Sequence, residues 1–378
     1  MISNREPIIK ITVVALSFLA TLLICELILR FLPYNSGIIA SHVDDNQPVY
    51  RFLPEQITQY SQDWDMKNNR KRYVNKDGFL SDIEYEKNAT RPLIVVIGDS
   101  FIEAIQVDWA KSVHGLLHQQ LSPQIRVYSF GAAYAALAQY LAWASYAHTN
   151  YEPDMLIVNI VGNDFLQKLP KKGEAYSGGF QGMAYFNEGK KGELILQRSD
   201  RPRKSWTIHM LRKSALIAYL YRNLEITYAL KRIKSIVINF FQPQKKPLYI
   251  ANTNAIASHE EIELSKREID KFLEYLPDKS GLPPKKIVIT IDGLRSELYN
   301  PQKLAQAKNT FPAIMTEYLI NRGTEHGFEV IPLEQYFIKK HNETGERFEF
   351  PFNGHWNENG HRIMAKAILS SRTFAELF

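Results

Sequence analysis

Four short stretches carry side chains that could do chemistry together. Gly98-Asp99-Ser100 closes a run of apolar residues, Leu93 to Ile97. Gly131 closes Ile125–Phe130, and Gly162-Asn163-Asp164 closes Met155–Val161. Near the carboxyl terminus stands Asn353-Gly354-His355-Trp356-Asn357-Glu358-Asn359-Gly360-His361. These types fit acyl transfer. A serine hydroxyl is a weak nucleophile and needs an adjacent base, which histidine supplies near neutral pH. The tetrahedral intermediate needs donors aimed at its oxyanion. The backbone N–H of Ser100, the N–H of Gly131 and the Asn163 carboxamide are three such donors. Each residue also has a plainer reading. Ser100 can cap a helix, Asn163 and Gly131 can simply make turns, and His355 can pack at a helix start. Asp99 reads as a structural residue bonding the turn, and His361 as a packing residue.

For these groups to meet, the strands before them must share one sheet. Leu93–Ile97, Ile125–Phe130, Met155–Val161, Lys286–Ile291 and Phe328–Leu333 read as strands, the first as a continuous, fully buried run. Helical patterns follow at 101–121, 135–147, 206–240, 259–276, 304–322 and 357–369. Strand, turn and helix in succession predict a parallel sheet with helices on both faces. Ligands bind at the carboxyl edge of such a sheet. Residues 165–284 read as an insertion whose part up to 204 forms hairpins or long loops over the site. Its aromatic residues Tyr176, Phe180, Tyr185 and Phe186 are candidates to line a sugar site or to pack half-buried.

With those blocks in place, the sequence resembles the SGNH, or GDSL, hydrolase superfamily in its membrane-anchored bacterial form. Gly98-Asp99-Ser100, Gly131, Gly162-Asn163-Asp164 and His355-x-Asn357-x-x-Gly360 match its four blocks in order. Tyr151-Glu152-Pro153-Asp154 and the segment Glu26-Leu27-x-Leu29-Arg30 fit it too. The resemblance covers about residues 70 to 370. It implies a three-layer α/β/α fold of flavodoxin-like kind with a parallel central sheet. It also implies hydrolysis or transfer of ester-linked acyl groups, often on carbohydrates, with Ser100 and His355 catalytic and no cofactor or metal. One position departs: the family places an Asp two or three residues before the histidine, and here Phe352 and Asn353 stand there. Asn353 is the candidate third member. A backbone carbonyl, Glu349 and Asp164 are the other groups that could orient the ring.

The amino terminus supplies a second signal. Ile8 to Leu32 is apolar except for Lys10, Glu26 and Arg30, long enough for a helix that crosses a bilayer. Arg5 and Lys10 at its amino end favour an amino end inside. No small-x-small site follows the apolar core as signal cleavage would require, and a core helix of a soluble domain is the remaining alternative. The expected organisation is a cytoplasmic tip and transmembrane anchor at 1–32, a linker and irregular region at 33–90, and a hydrolase domain at 91–378. That domain would be extracytoplasmic, on a single-pass protein of the inner (plasma) membrane.

The 378 residues suffice for one large or two ordinary domains, and 45% of them are hydrophobic. A net charge of +6 is spread over short runs such as Arg70-Lys71-Arg72, which argues against nucleic acid as a partner. Cys25 is the only cysteine, which excludes an intramolecular disulfide and a Cys-based metal site. The expected function is a serine esterase removing acyl groups, acetyl first among them, from a cell-envelope or secreted polysaccharide through an acyl-enzyme. Two alternatives stand beside it: an O-acyltransferase using the same pair, and a non-catalytic glycan-binding or assembly protein.

Overall fold

The computed structural model describes residues 5–165, 181–202, 205–227, 230, 248–295, 297–351 and 353–378. They form two compact units. One gathers 1–39, 57–72 and 203–244, and the other 40–56, 73–202 and 245–378.

In the first unit, helix α1 (Arg5–Leu29) is continuous, and its apolar side chains from Ile8 to Ile28 are largely exposed. Its stretch Pro7–Leu29 is long and apolar enough to cross a membrane, a test that a signal sequence also passes. Near its end the Glu26 carboxylate accepts from the Ser214 hydroxyl (2.8 Å) and from the N–H groups of Ala215 (3.1 Å) and Leu216 (2.8 Å). Leu29, Met66 and Ala215 form a small core there. Residues Ile57–Gln62 and Lys67–Tyr73, within the region read as linker and irregular, pair as a two-stranded sheet. The helix expected over 206–240 is broken into Trp206–Arg212, Ala215–Ala218 and a wide turn at Tyr219–Asn223. Ser214 interrupts it by turning its hydroxyl to the Ile217 N–H, a cap that apolar spacing does not reveal. Residues 231–240 of that expectation lie outside the described ones.

The second unit is built on five parallel strands: β1 (Leu93–Gly98), β2 (Arg126–Gly131), β3 (Met155–Ile160), β4 (Ile287–Ile291) and β5 (Glu329–Pro332). Their order is β5-β4-β3-β1-β2. This is the flavodoxin-like order, with its reversal point between β1 and β3. Branched apolar residues fill β1, β3 and β4, and every residue of the three is buried. That is what a sheet covered on both faces requires. In register, Gly98 lies opposite Gly131 and Ile97 opposite Val158, so β1, β2 and β3 end level with one another.

Helices cover both faces, as the three-layer expectation requires. Ile94, Val96, Ile157 and Val288 pack with residues of α2 (Ser100–Glu103), α3 (Val113–Leu121), α7 (Glu334–Thr344) and α8 (Glu358–Leu369). The alternate residues face α4 (Leu137–Tyr151), α5 (His259–Ser280) and α6 (Phe311–Glu325), which lie side by side. Gly323 of α6 sits directly over Val330 and Ile289.

Two expected helices are split. Residues 101–121 become α2, a short 3₁₀ turn at Trp109–Lys111 and α3. Ala104 stops α2 in the left-handed region (φ 49°), and Ser112 caps α3 through the Gly115 N–H. Residues 304–322 divide into Pro301–Ala307 and α6. The described part of 165–204 does hold a hairpin, Ala184–Glu188 against Leu194–Arg198. It is fastened to α4 by the Ala184 N–H on the Gln139 carboxamide (2.7 Å). Phe186 is buried and the Tyr185 hydroxyl donates to Gln197, while Tyr176 and Phe180 lie outside the described residues.

Candidate active site

The chain turns sharply where β1 ends. Asp99 caps α2, accepting from the Phe101 N–H at 2.9 Å, and Ser100 becomes the first residue of the helix with its hydroxyl half-exposed. Gly131 makes this turn possible. A Cβ there would come within 2.4 Å of the Glu103 nitrogen and 2.7 Å of the Ile102 carbonyl carbon. Only a residue without a side chain lets α2 fold back onto the end of β2.

Asn163 lies in the 3₁₀ turn Gly162–Phe165 after β3, across the reversal point. Its Nδ2 donates to Asp99 Oδ2 at 3.3 Å, and the Ser100 hydroxyl reaches the same oxygen at 3.3 Å. One buried carboxylate therefore gathers Ser100 and Asn163. Burial pushes the Asp99 carboxyl up to about 6 against the pull of those hydrogen bonds and of the Phe101 N–H, and the nearby Asp292 charge raises it further. Asp164 turns the other way. It accepts from the Tyr140 hydroxyl and the Val161 N–H, both at 2.9 Å, so it orients that loop.

His355 arrives on the turn that the bridge between Glu349 and Trp356 closes, just ahead of the α8 cap at Asn357. The Phe350 N–H donates to the His355 carbonyl, and Asn357 caps α8 through the N–H groups of Asn359 and Gly360. His355 Nε2 then lies 2.8 Å from Ser100 Oγ, across 255 positions of chain. The ring sits against Phe101, centroids 5.1 Å apart. The structure thus brings Ser100, His355 and Asn163 to one place, with Gly131 at the neighbouring strand end.

Asn353 meets His355 differently from the expectation that it orients the ring. Its Oδ1 accepts from the His355 main-chain N–H at 3.0 Å. Glu349 does not reach the ring either, since it takes Arg295, Tyr299 and Arg347. Nδ1 of His355 is enclosed and has no hydrogen-bond partner among the described residues. Burial, and after it the Arg295 guanidinium, push the imidazole down to about 4. The residue as a whole is only half-buried, and the enclosed part is the Nδ1 edge. A neutral ring is what a base toward Ser100 must be.

Arg295 is the residue that the motifs do not reveal. It is buried, pairs with Asp292 through Nε (3.0 Å) and with Glu349 through Nη1 (3.2 Å), and donates through Nη2 to the Gly354 carbonyl. Trp356 Nε1 also donates to Asp292, at 2.7 Å. Burial works against the Arg295 charge, but the Asp292 and Glu349 carboxylates overcome it and raise its pKa. This ion cluster fastens the His355 turn to the end of β4. One signal was available: Asp292-Gly293 closes the fourth strand as Gly-containing turns close the first three. His361 is buried edge-on to Trp356. Among the described residues no three His, Cys, Asp or Glu side chains are grouped to hold a metal ion.

No protein-family model and no curated protein sequence matches the chain. Among solved structures it is similar to a lipolytic G-D-S-L family protein from Veillonella parvula. That match has a TM-score of 0.39 and 11% identity, covering 74% of this chain and 98% of that one. It is also similar to LAE5, a hydrolase from the Lake Arreo metagenome, at TM-score 0.40 and 12% identity, covering 76% and 96%. The lipase/acylhydrolase of Enterococcus faecalis matches at TM-score 0.37 and 11% identity, covering 76% and 97%. At these scores the function must be argued from the site itself.

Proposed function

We propose that the chain is a serine ester hydrolase held to a membrane by α1, with the second unit on the extracytoplasmic side. The observation that carries the enzymatic part is the 2.8 Å contact between Ser100 Oγ and His355 Nε2 at the carboxyl edge of a parallel sheet. Nε2 takes the hydroxyl proton as Oγ attacks the ester carbonyl carbon. The carbonyl oxygen becomes an oxyanion facing the Ser100 and Gly131 N–H groups and the Asn163 carboxamide, which leaves Asp99 to meet it. Collapse expels the alcohol, which takes the proton from Nε2. Water then repeats the sequence on the acyl-enzyme and releases the carboxylic acid. Asn353 serves by holding the His355 backbone. The substrate class, an O-acetylated cell-envelope or secreted polysaccharide, rests on the resemblance of the four sequence blocks alone. The sidedness rests on Arg5 and Lys10 at the amino end of α1.

The test is covalent labelling of the detergent-extracted full chain by a fluorophosphonate, beside acetate release from a panel of O-acetylated glycans. Wild type should be labelled and should release acetate. Ser100→Ala should lose the label and at least about a thousandfold in rate while unfolding at the same temperature. Equal labelling or equal release by the two proteins would remove Ser100 from the reaction.

A further inference from the structure

Beyond the catalytic edge, the first unit carries an apolar surface that its own core does not use. Trp206 is 74% exposed, Leu211 54%, Tyr221 59% and Phe31 89%, and Ile217 is exposed as well. Single exposed apolar residues need no explanation, but these four on the sixteen residues 206–221, with Phe31 just past the end of α1, do. Its place in the fold says what covers it. Ser214, Ala215 and Leu216 are tied to Glu26, about one turn from the end of α1, and Arg30 donates to the same carboxylate at 2.9 Å. Ala215 packs with Leu29, and Leu216 and Tyr219 join that cluster. The segment is therefore fixed at the level where α1 passes from apolar to polar sequence.

We infer that residues 206–221, with Phe31, form a membrane-interface surface seated in the headgroup region of the bilayer that α1 crosses. The inference rests on the anchor reading given above. The composition fits. Trp and Tyr prefer the headgroup level, and Arg212 and Lys213 beside them offer charge to anionic lipid. The Glu26 contacts fit too. A carboxylate close to hydrocarbon must be met by donors, and Ser214, two backbone N–H groups and Arg30 meet it. The same contacts that satisfy Glu26 therefore hold the surface against the bilayer.

The experiment uses the full chain in vesicles, with Cys25→Ser as background and Phe18→Cys, Leu211→Cys or Ile217→Cys, one at a time, carrying an environment-sensitive fluorophore. The vesicles are phosphatidylcholine with or without phosphatidylglycerol, with ordinary or brominated acyl chains. Labels at 211 and 217 should shift to the blue and lose most of their intensity in brominated lipid. Phosphatidylglycerol should deepen that loss, and Arg212→Glu with Lys213→Glu should abolish the deepening. Circular dichroism of each variant checks that it is folded. Quenching at 18 with none at 211 and 217 overturns the surface and leaves that face to a protein partner. Quenching at none of the three overturns the anchor reading together with it.

Discussion

Ser100 Oγ and His355 Nε2 are in hydrogen-bond contact, while Nδ1 of the same ring has no partner among the described residues. A base enclosed in this way, beside Arg295, titrates low, to about 4. The imidazole must be neutral to take the serine proton. As the proposed base, its contribution to rate should therefore be complete at neutral pH and be lost only as pH falls through about 4. Measured as kcat/KM on a small acetate ester, the acid limb should lie near 4. The Asp99→Asn variant is the background of choice, because it removes the other group that titrates nearby, at about 6. An acid limb at the usual histidine value would contradict the described surroundings of the ring. A second test adds the missing charge. Asn353→Asp keeps an acceptor for the His355 N–H and adds a negative charge on a residue bonded to the His355 backbone, which favours imidazolium. The acid limb should move up by about one pH unit or more, with little change in thermal stability. At this scale the sequence was informative where the signal is local. Ser100, Asn163 and Gly131 each follow a buried run at a turn, and His355 sits in a dense polar block before a helix. Which atom Asn353 would address was not legible, because a contact to ring or backbone leaves the same letters. Arg295 was signalled only by the Asp292-Gly293 turn beside it, since its other partner Glu349 is 54 positions away and no spacing links them.

The elements meet at close quarters around that site, and two substitutions test how. At Gly131 an added methyl would press on the backbone of α2. Gly131→Ala should cost about 3 kcal/mol of stability, the upper end for overpacking. It should also lower kcat/KM more than KM alone explains, because α2 carries Ser100. Thermal unfolding and steady-state rates together check this, and an unchanged rate would show that α2 is not held by that contact. Arg295→Met removes the cation of a buried cluster and leaves Asp292 and Glu349 without it. Breaking such a pair costs about 3–5 kcal/mol, read as a lowered urea midpoint. It also frees the Gly354 carbonyl, so the His355 turn loses its fastening to β4. The strands behind these contacts could be read from sequence, because a strand covered on both faces is a continuous apolar run. Helix limits could not. Apolar spacing runs through Ala104, whereas the backbone there turns left-handed, and it runs through Ser214, whose hydroxyl captures the next turn. Side-chain caps and single φ reversals decide those limits, and neither changes hydrophobic period.

Over the whole molecule, the division of the chain is discontinuous. The unit containing α1 draws on three separate segments, held by contacts such as Asn223 Oδ1 on the Asn35 N–H, 188 positions apart. A reading that moves along the chain assigns 33–90 and 165–284 as linker and insertion, because nothing local announces such a pairing. The apolar helix is different: its signal is length and composition, both present in the letters. Pro7–Leu29 is uninterrupted, and over most of that length its side chains are exposed, with no cover from the described residues. Placed in water, that exposed surface would drive aggregation; placed in hydrocarbon, it needs no cover. The anchor reading therefore predicts that the chain sediments with membranes, resists extraction at alkaline pH and keeps its full-length mass, whereas a cleaved signal would shorten it. The hold of α1 on the bilayer is testable by substitution. Leu16→Lys with Leu19→Lys puts two charges near the middle of the helix, each about 3 kcal/mol less favourable than Leu at that depth. A spanning helix should then fail to insert, and the chain should leave the membrane fraction. A double variant that still resists alkaline extraction would mean that α1 is not what holds the protein to the bilayer.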